Sequence, residues 1–94
     1  MSSSRYVSEK VYVAVGCLCE GDASFTERLE SATISALLRL NRDDAVPEIA
    51  DDLDFVLQLS RDNMRDGHLV RELDSGERRQ FVEALLRILV ATDE

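Results

Sequence analysis

His68 is the single histidine of this 94-residue sequence, and its imidazole could act as a general acid or base near neutral pH. It directly follows Asp66 and Gly67, a pair of residues that indicates a turn. A catalytic base needs a partner group and a pocket, whereas a histidine in a charged turn is typical of a protein surface. Ser75 and Cys17 lack the spacing that marks an activated nucleophile. We therefore predict that the protein is not an enzyme, and keep a small enzyme that uses His68 as the last alternative.

Metal ligands are also scarce in the sequence. Cys17, Cys19 and His68 are its cysteine and histidine residues, whereas structural zinc sites take four such ligands. Residues 62–67 begin like a calcium-binding loop, but methionine and leucine stand where the loop needs oxygen ligands. We therefore predict neither a metal nor a cofactor. Two cysteines separated by one residue cannot form an unstrained disulfide, so reduced thiols in a cytoplasmic protein are the simplest interpretation.

Acidic residues carry the strongest functional signal. The net charge of −8 disfavours direct binding of nucleic acid, because a phosphate backbone attracts a basic face. Residues 43–60 hold six acidic residues and no basic one, which makes this window −6. The six are Asp43, Asp44, Glu48, Asp51, Asp52 and Asp54. They either stabilise a helix start and form its solvated face, or form a docking patch for a basic partner.

A docking patch predicts a small, acidic, non-enzymatic regulatory or adaptor protein that works by binding another protein, whose own surface is basic. An alternative use of the same charge is an acidic inhibitor. Such a protein mimics a nucleic acid with spaced carboxylates and blocks a basic, nucleic-acid-binding partner. Competition with DNA or RNA for one partner would distinguish the inhibitor from the adaptor.

Apolar periodicity predicts the elements that must position these acids. Residues 25–41 form the clearest helix, because apolar residues recur at helical spacing behind a capping box of Ser24 and Glu27. Pro47 favours the first position of a second helix over residues 47–60. This helix would carry most of the acidic window on its first turns.

A third helix is predicted over residues 75–91, behind a similar pair of capping residues, Asp74 and Glu77. Residues 6–19 are less certain. Their valines favour a strand, which would need a second copy of itself across a dimer axis. The spacing of their apolar residues also fits a helix, and we predict a helix. Residues 1–5 are expected to be a frayed tail, and residues 68–73 one short helical turn.

Together these segments predict one all-α domain over residues 1–94, a small bundle of three to four helices. No stretch approaches the roughly 20 apolar residues of a transmembrane helix, so no membrane association is expected. Several helices are apolar on more than one side, which predicts completion of the core by a homodimer or a partner. The residues predicted for this face are Val11, Val15, Leu18, Phe55, Leu59, Val82 and Leu86.

Overall fold

Four α-helices pack around a hydrophobic core in the computed structural model, which describes residues 3–19, 23–44 and 46–92. The helices are α1, Ser3–Cys19; α2, Phe25–Ser35; α3, Ala50–Leu59; and α4, Ser75–Thr92. α1 packs against α2 and α4, and α4 also packs against α3. This arrangement confirms the predicted all-α bundle. Within the described residues, no helix is both long and apolar enough to cross a membrane.

The uncertain N-terminal segment is a helix, α1. Its core-facing residues recur at helical spacing and are buried: Val7, Val11, Ala14 and Leu18. A helix satisfies the backbone of these residues within the segment itself, whereas a strand would need a neighbour to pair with. α1 begins at Ser3, so residues 3–5 of the expected tail are helical, and residues 1 and 2 lie outside the described residues.

The predicted capping box at the start of α2 is present. The Glu27 amide donates to Ser24 Oγ over 3.2 Å, and the Ser24 amide donates to Glu27 Oε1 over 3.2 Å. These reciprocal bonds satisfy two backbone donors that a helix start otherwise leaves free. The local sequence therefore fixes where α2 begins.

The end of α2 differs from the prediction. The helix stops at Ser35, whereas the periodicity predicts an end near residue 41. A 3₁₀ turn, Leu37–Arg39, follows, and both Leu37 and Leu40 are fully buried. Side chains three residues apart share one side of a 3₁₀ turn, so the tighter winding directs both leucines into the core. Tertiary burial therefore overrides the helical pattern here.

α4 begins at Ser75 as predicted, whereas α3 begins at Ala50, three residues after its predicted start. Pro47 opens a 3₁₀ turn that runs directly into α3. Before α4, the Glu77 amide donates to Asp74 Oδ1 over 2.8 Å, and the Asp74 amide donates to Glu77 Oε1 over 3.1 Å. Asp74 thus serves as the N-cap in place of the more usual serine or threonine.

A β-hairpin replaces the helical turn predicted for residues 68–73, and that prediction is wrong. Strand β1 (Met64–Arg65) pairs antiparallel with β2 (His68–Leu69). Asp66 and Gly67 have φ angles of 56° and 83°. Two consecutive residues with positive φ make the tight turn that suits a hairpin, because its twist matches that of the strands.

Candidate interaction surface

Three of the seven apolar positions predicted for a dimer or partner face lie in the core of the chain itself. Val11, Leu18 and Leu59 are buried, and the prediction is corrected at these positions. α1 is flanked by both α2 and α4, so a wide apolar stripe on it is covered within one chain. The other four remain at least partly accessible: Val15, Phe55 and Val82 are half-buried, and Leu86 is exposed.

Large apolar side chains are exposed on α1 and on the C-terminal half of α4. Val90 is 79 % exposed, Tyr12 is 72 % exposed and Leu86 is 47 % exposed. We call these three residues the α1/α4 surface. Tyr12 and Val90 line a shallow depression of about 300 Å³ together with Ser8 and Leu89. An isolated exposed apolar residue is ordinary, but several that line one depression indicate a binding surface.

A second depression, of about 420 Å³, lies on the α3 side of the same helix. Leu86, Val90 and Ala91 give it an apolar floor, and Glu48 and Asp52 bring carboxylates to it. Val90 lines both depressions and therefore stands between them. The α1/α4 surface thus combines an apolar ridge with an acidic margin on one side.

Three of the six acids of the window are engaged within the chain. Arg87 binds Asp52 in a bidentate pair, with its Nη2 2.9 Å from Oδ1 and its Nε 3.1 Å from Oδ2. Arg42 binds Asp54. Asp44 Oδ2 accepts a hydrogen bond of 2.9 Å from the backbone amide of residue 41. These three carboxylates hold their own chain together.

Arginine partners also shift the ionisation of the groups around them. The carboxylate of Asp52 raises the pKa of Arg87 by accepting its hydrogen bonds. Arg42 bridges to Asp62 as well, with Nη2 2.6 Å from Oδ2. Chiefly through this hydrogen bond, Arg42 lowers the pKa of Asp62. The charged forms of Arg87 and Asp62 are therefore favoured at neutral pH.

The remaining acids of the window, Asp43, Glu48 and Asp51, are exposed. None of them forms an ion pair with another residue in the described parts of the chain. Glu48 lines the second depression, and Asp51 follows it by one turn of helix. Exposed carboxylates that are outside an ion pair can attract a basic partner.

His68 lies on strand β2 of the hairpin. Its side chain is 79 % exposed, and Nδ1 lies 3.7 Å from Glu30 Oε1. No group of three or more histidine, cysteine, aspartate or glutamate residues able to hold a metal ion occurs in the described residues. Cys17 and Cys19 are free thiols, the first half-buried and the second exposed. An imidazole with this exposure is typical of a histidine on a protein surface.

A smaller set of apolar residues is exposed on the α2 side of the bundle. Ile34 and Leu38 are each about half exposed. Tyr6 is also exposed, and its hydroxyl donates to the carbonyl of Arg39 over 3.1 Å. No acid of the window 43–60 is hydrogen-bonded to these residues in the described structure. This side offers a matched comparison for the α1/α4 surface.

Sequence reasoning did not assign Tyr12 and Val90 to the face. Tyr12 lies outside the apolar stripe predicted for its segment, whereas Val90 continues a second stripe at the spacing of Val82 and Leu86, and both side chains are largely exposed. Their significance comes from the meeting of two helices that are distant in sequence.

Comparison of the chain with protein-family models, with curated proteins and with solved structures finds no match.

Proposed function

We propose that this protein is a small acidic regulatory or adaptor protein that works without catalysis, by binding another protein through the α1/α4 surface. The observation that supports this proposal is the exposure of Tyr12 and Val90 beside one shared depression. Tyrosine is a common anchor of protein interfaces, whose buried centre is more apolar than the rim.

Charge defines the kind of partner. The protein carries −8 overall, and Glu48 lies at the edge of the apolar ridge with Asp51 one turn further along. Carboxylates at the rim of an interface speed the encounter with a basic surface and disfavour acidic ones. The partner therefore presents apolar side chains with lysine or arginine beside them.

The alternative of nucleic-acid mimicry has less support from the same residues. Mimicry requires free, spaced carboxylates, but Asp52 and Asp54 are already bound to arginines of their own chain. We also propose that the protein resides in the cytoplasm, where its free thiols would stay reduced. The homodimer stays a prediction, now resting on the exposed residues of the α1/α4 surface rather than on Val11, Leu18 and Leu59.

Affinity capture from the native cell tests the proposal when two variants are compared with the wild type. The first, Tyr12→Ser with Val90→Ser, removes the apolar ridge. The second, Ile34→Ser with Leu38→Ser, removes an equal number of exposed apolar residues on the α2 side. We expect at least one captured protein to be lost with the first variant and retained with the second. Equal capture by both variants would contradict the proposal.

A further inference from the structure

We infer that the α1/α4 surface binds an amphipathic helix of the partner, with apolar side chains along one face and lysine or arginine along one flank. This inference rests on the proposed function and specifies the partner that the surface accepts.

The shape of the surface favours a helix. Two depressions, of about 300 and about 420 Å³, lie on the α1 and the α3 side of α4, and Val90 lines both of them. Neighbouring apolar side chains on a helix face lie three or four residues apart, about 5–6 Å between Cβ atoms. Side chains with this spacing can occupy the depressions on both sides of a single ridge, as in the packing of helix ridges into grooves.

An extended peptide has no comparable place to bind on this surface. Peptides in strand form add to an exposed sheet edge, where free backbone groups hydrogen-bond to them. The α1/α4 surface is built from helices, whose backbone groups are already bonded internally. The two strands in the described residues belong to the hairpin at Met64–Leu69, outside this surface. Contact through side chains is therefore the available mode of binding.

The two sides of the α1/α4 surface differ in charge. This difference determines which flank of the bound helix carries the basic residues. Glu48 and Asp52 line the depression on the α3 side, where Arg87 neutralises Asp52. Ser8 and Tyr12 line the depression on the α1 side without a formal charge. A bound helix therefore needs its basic residues along the α3 flank only. A helix that is basic all round would gain nothing on the α1 side.

Synthetic peptides test the inference directly. The probe is an 18-residue, fluorescently labelled helix with leucine along one face, lysine along one flank and glutamine elsewhere. Two control peptides accompany it, one with glutamate in place of lysine and one with the same composition in scrambled order. Anisotropy titrations at low and high salt measure the affinity of each peptide for the full chain.

We expect the probe to bind in one-to-one stoichiometry, and each control peptide to bind about tenfold or more weakly. Tyr12→Ser with Val90→Ser should weaken probe binding about tenfold, whereas Ile34→Ser with Leu38→Ser should change it less than about twofold. Val90→Ser alone should give an intermediate loss. Circular dichroism of each variant verifies that the helices remain folded.

Charge neutralisation gives a second, matched pair of variants. Glu48→Gln with Asp51→Asn should weaken probe binding severalfold at low salt and little at high salt, because the attraction is screened. Asp66→Asn with Glu72→Gln removes the same charge near the hairpin and should leave probe binding unchanged. Equal effects of the two pairs would refute the assigned flank.

Three outcomes would overturn the inference. Equal loss with the serine variants on both sides of the bundle would show that the probe binds elsewhere. Failure of every peptide to bind, while capture of a native partner still depends on Tyr12 and Val90, would reject the helix but keep the proposed function. Sedimentation that shows a dimer dissociated by Tyr12→Ser with Val90→Ser would identify a second copy of the chain as the occupant.

Discussion

The hairpin side of the molecule and the α1/α4 surface use polar groups in opposite ways. On the hairpin side, Arg71 forms a bidentate pair with Glu77, and Glu30 accepts a hydrogen bond of 2.8 Å from the Leu69 amide. Close to the α1/α4 surface, Glu48 forms no ion pair within the described residues and lies beside exposed apolar side chains. The first region pairs several of its charged groups within the chain, whereas the second leaves an exposed carboxylate and exposed apolar side chains side by side.

This difference shows why charge alone does not locate a binding surface. The segment 61–79 holds five arginines and five acids, and some of them are paired within the chain, as Arg71 is with Glu77. Exposed ion pairs of this kind contribute little stability individually, but the paired charges neutralise each other. Unpaired carboxylates beside an exposed apolar ridge are the more informative combination.

The largest expected effect separates the two faces of α4. Leu85→Ala removes a fully buried side chain and should lower the free energy of unfolding by about 2–5 kcal/mol. Val90→Ala, on the exposed face of the same helix, should change it by less than about 0.5 kcal/mol. Urea denaturation followed by circular dichroism measures both. If Val90→Ala cost as much as Leu85→Ala, Val90 would be covered in solution and the comparison would fail.

A smaller effect is expected where the hairpin meets α2. Glu30→Ala removes the acceptor of the Leu69 amide and should lower the free energy of unfolding by about 1–2 kcal/mol. Glu30→Gln keeps an oxygen acceptor of similar reach and serves as the control, with a smaller loss. The same denaturation experiment measures both variants. A loss that is equal for alanine and glutamine would show that the negative charge, rather than the hydrogen bond, holds the hairpin.

Local signals in the sequence predicted the helix starts well. Ser24 with Glu27, and Asp74 with Glu77, form their capping bonds within four residues, so the information is contained in the segment itself. The end of α2 was not predictable in this way, because it depends on burial of Leu37 by other helices. The Asp66–Gly67 turn was recognised, but not the hairpin that it closes.

The candidate surface was only partly predictable for the same reason. The acidic window was visible in the sequence, but its division into engaged and free acids depends on distant arginines. Arg42 lies 12 residues from Asp54, and Arg87 lies 35 residues from Asp52. Likewise, the meeting of Tyr12 and Val90 requires α1 and α4 to lie side by side. Such pairings follow from tertiary packing, which no local pattern encodes.

Acid titration tests the internal satisfaction of the hairpin side. The hydrogen bonds from Arg71, together with one from the Asp74 amide, lower the pKa of Glu77 to about 2 from its ordinary 4.5. Because the folded state binds this proton less readily, the contribution of Glu77 to stability is present above pH 4.5 and is lost as the pH falls towards 2.

Glu77→Gln should therefore flatten the dependence of unfolding on pH between about 4.5 and 2. Asp51→Asn, at an exposed acid outside any ion pair of the described residues, is the matched control. Chemical denaturation at a series of pH values measures the slope. A slope reduced equally by both variants would remove the distinction between engaged and free carboxylates.

The smallest effect on stability is the one that decides between the two interpretations of the acidic window. As helix-starting residues, Glu48 and Asp51 would each favour the first turn of α3 through the helix dipole, by about 0.3–1 kcal/mol. If they serve mainly in docking, their interaction with the dipole is small, because both carboxylates are exposed and salt screens the interaction. Glu48→Gln with Asp51→Asn should therefore leave the free energy of unfolding within about 0.5 kcal/mol of wild type. The same variant should slow association with a captured basic partner, with the difference disappearing at high salt. A clear loss of stability without any change in the association rate would instead show that these acids stabilise the helix start. The two regions would then differ only in the exposed apolar ridge.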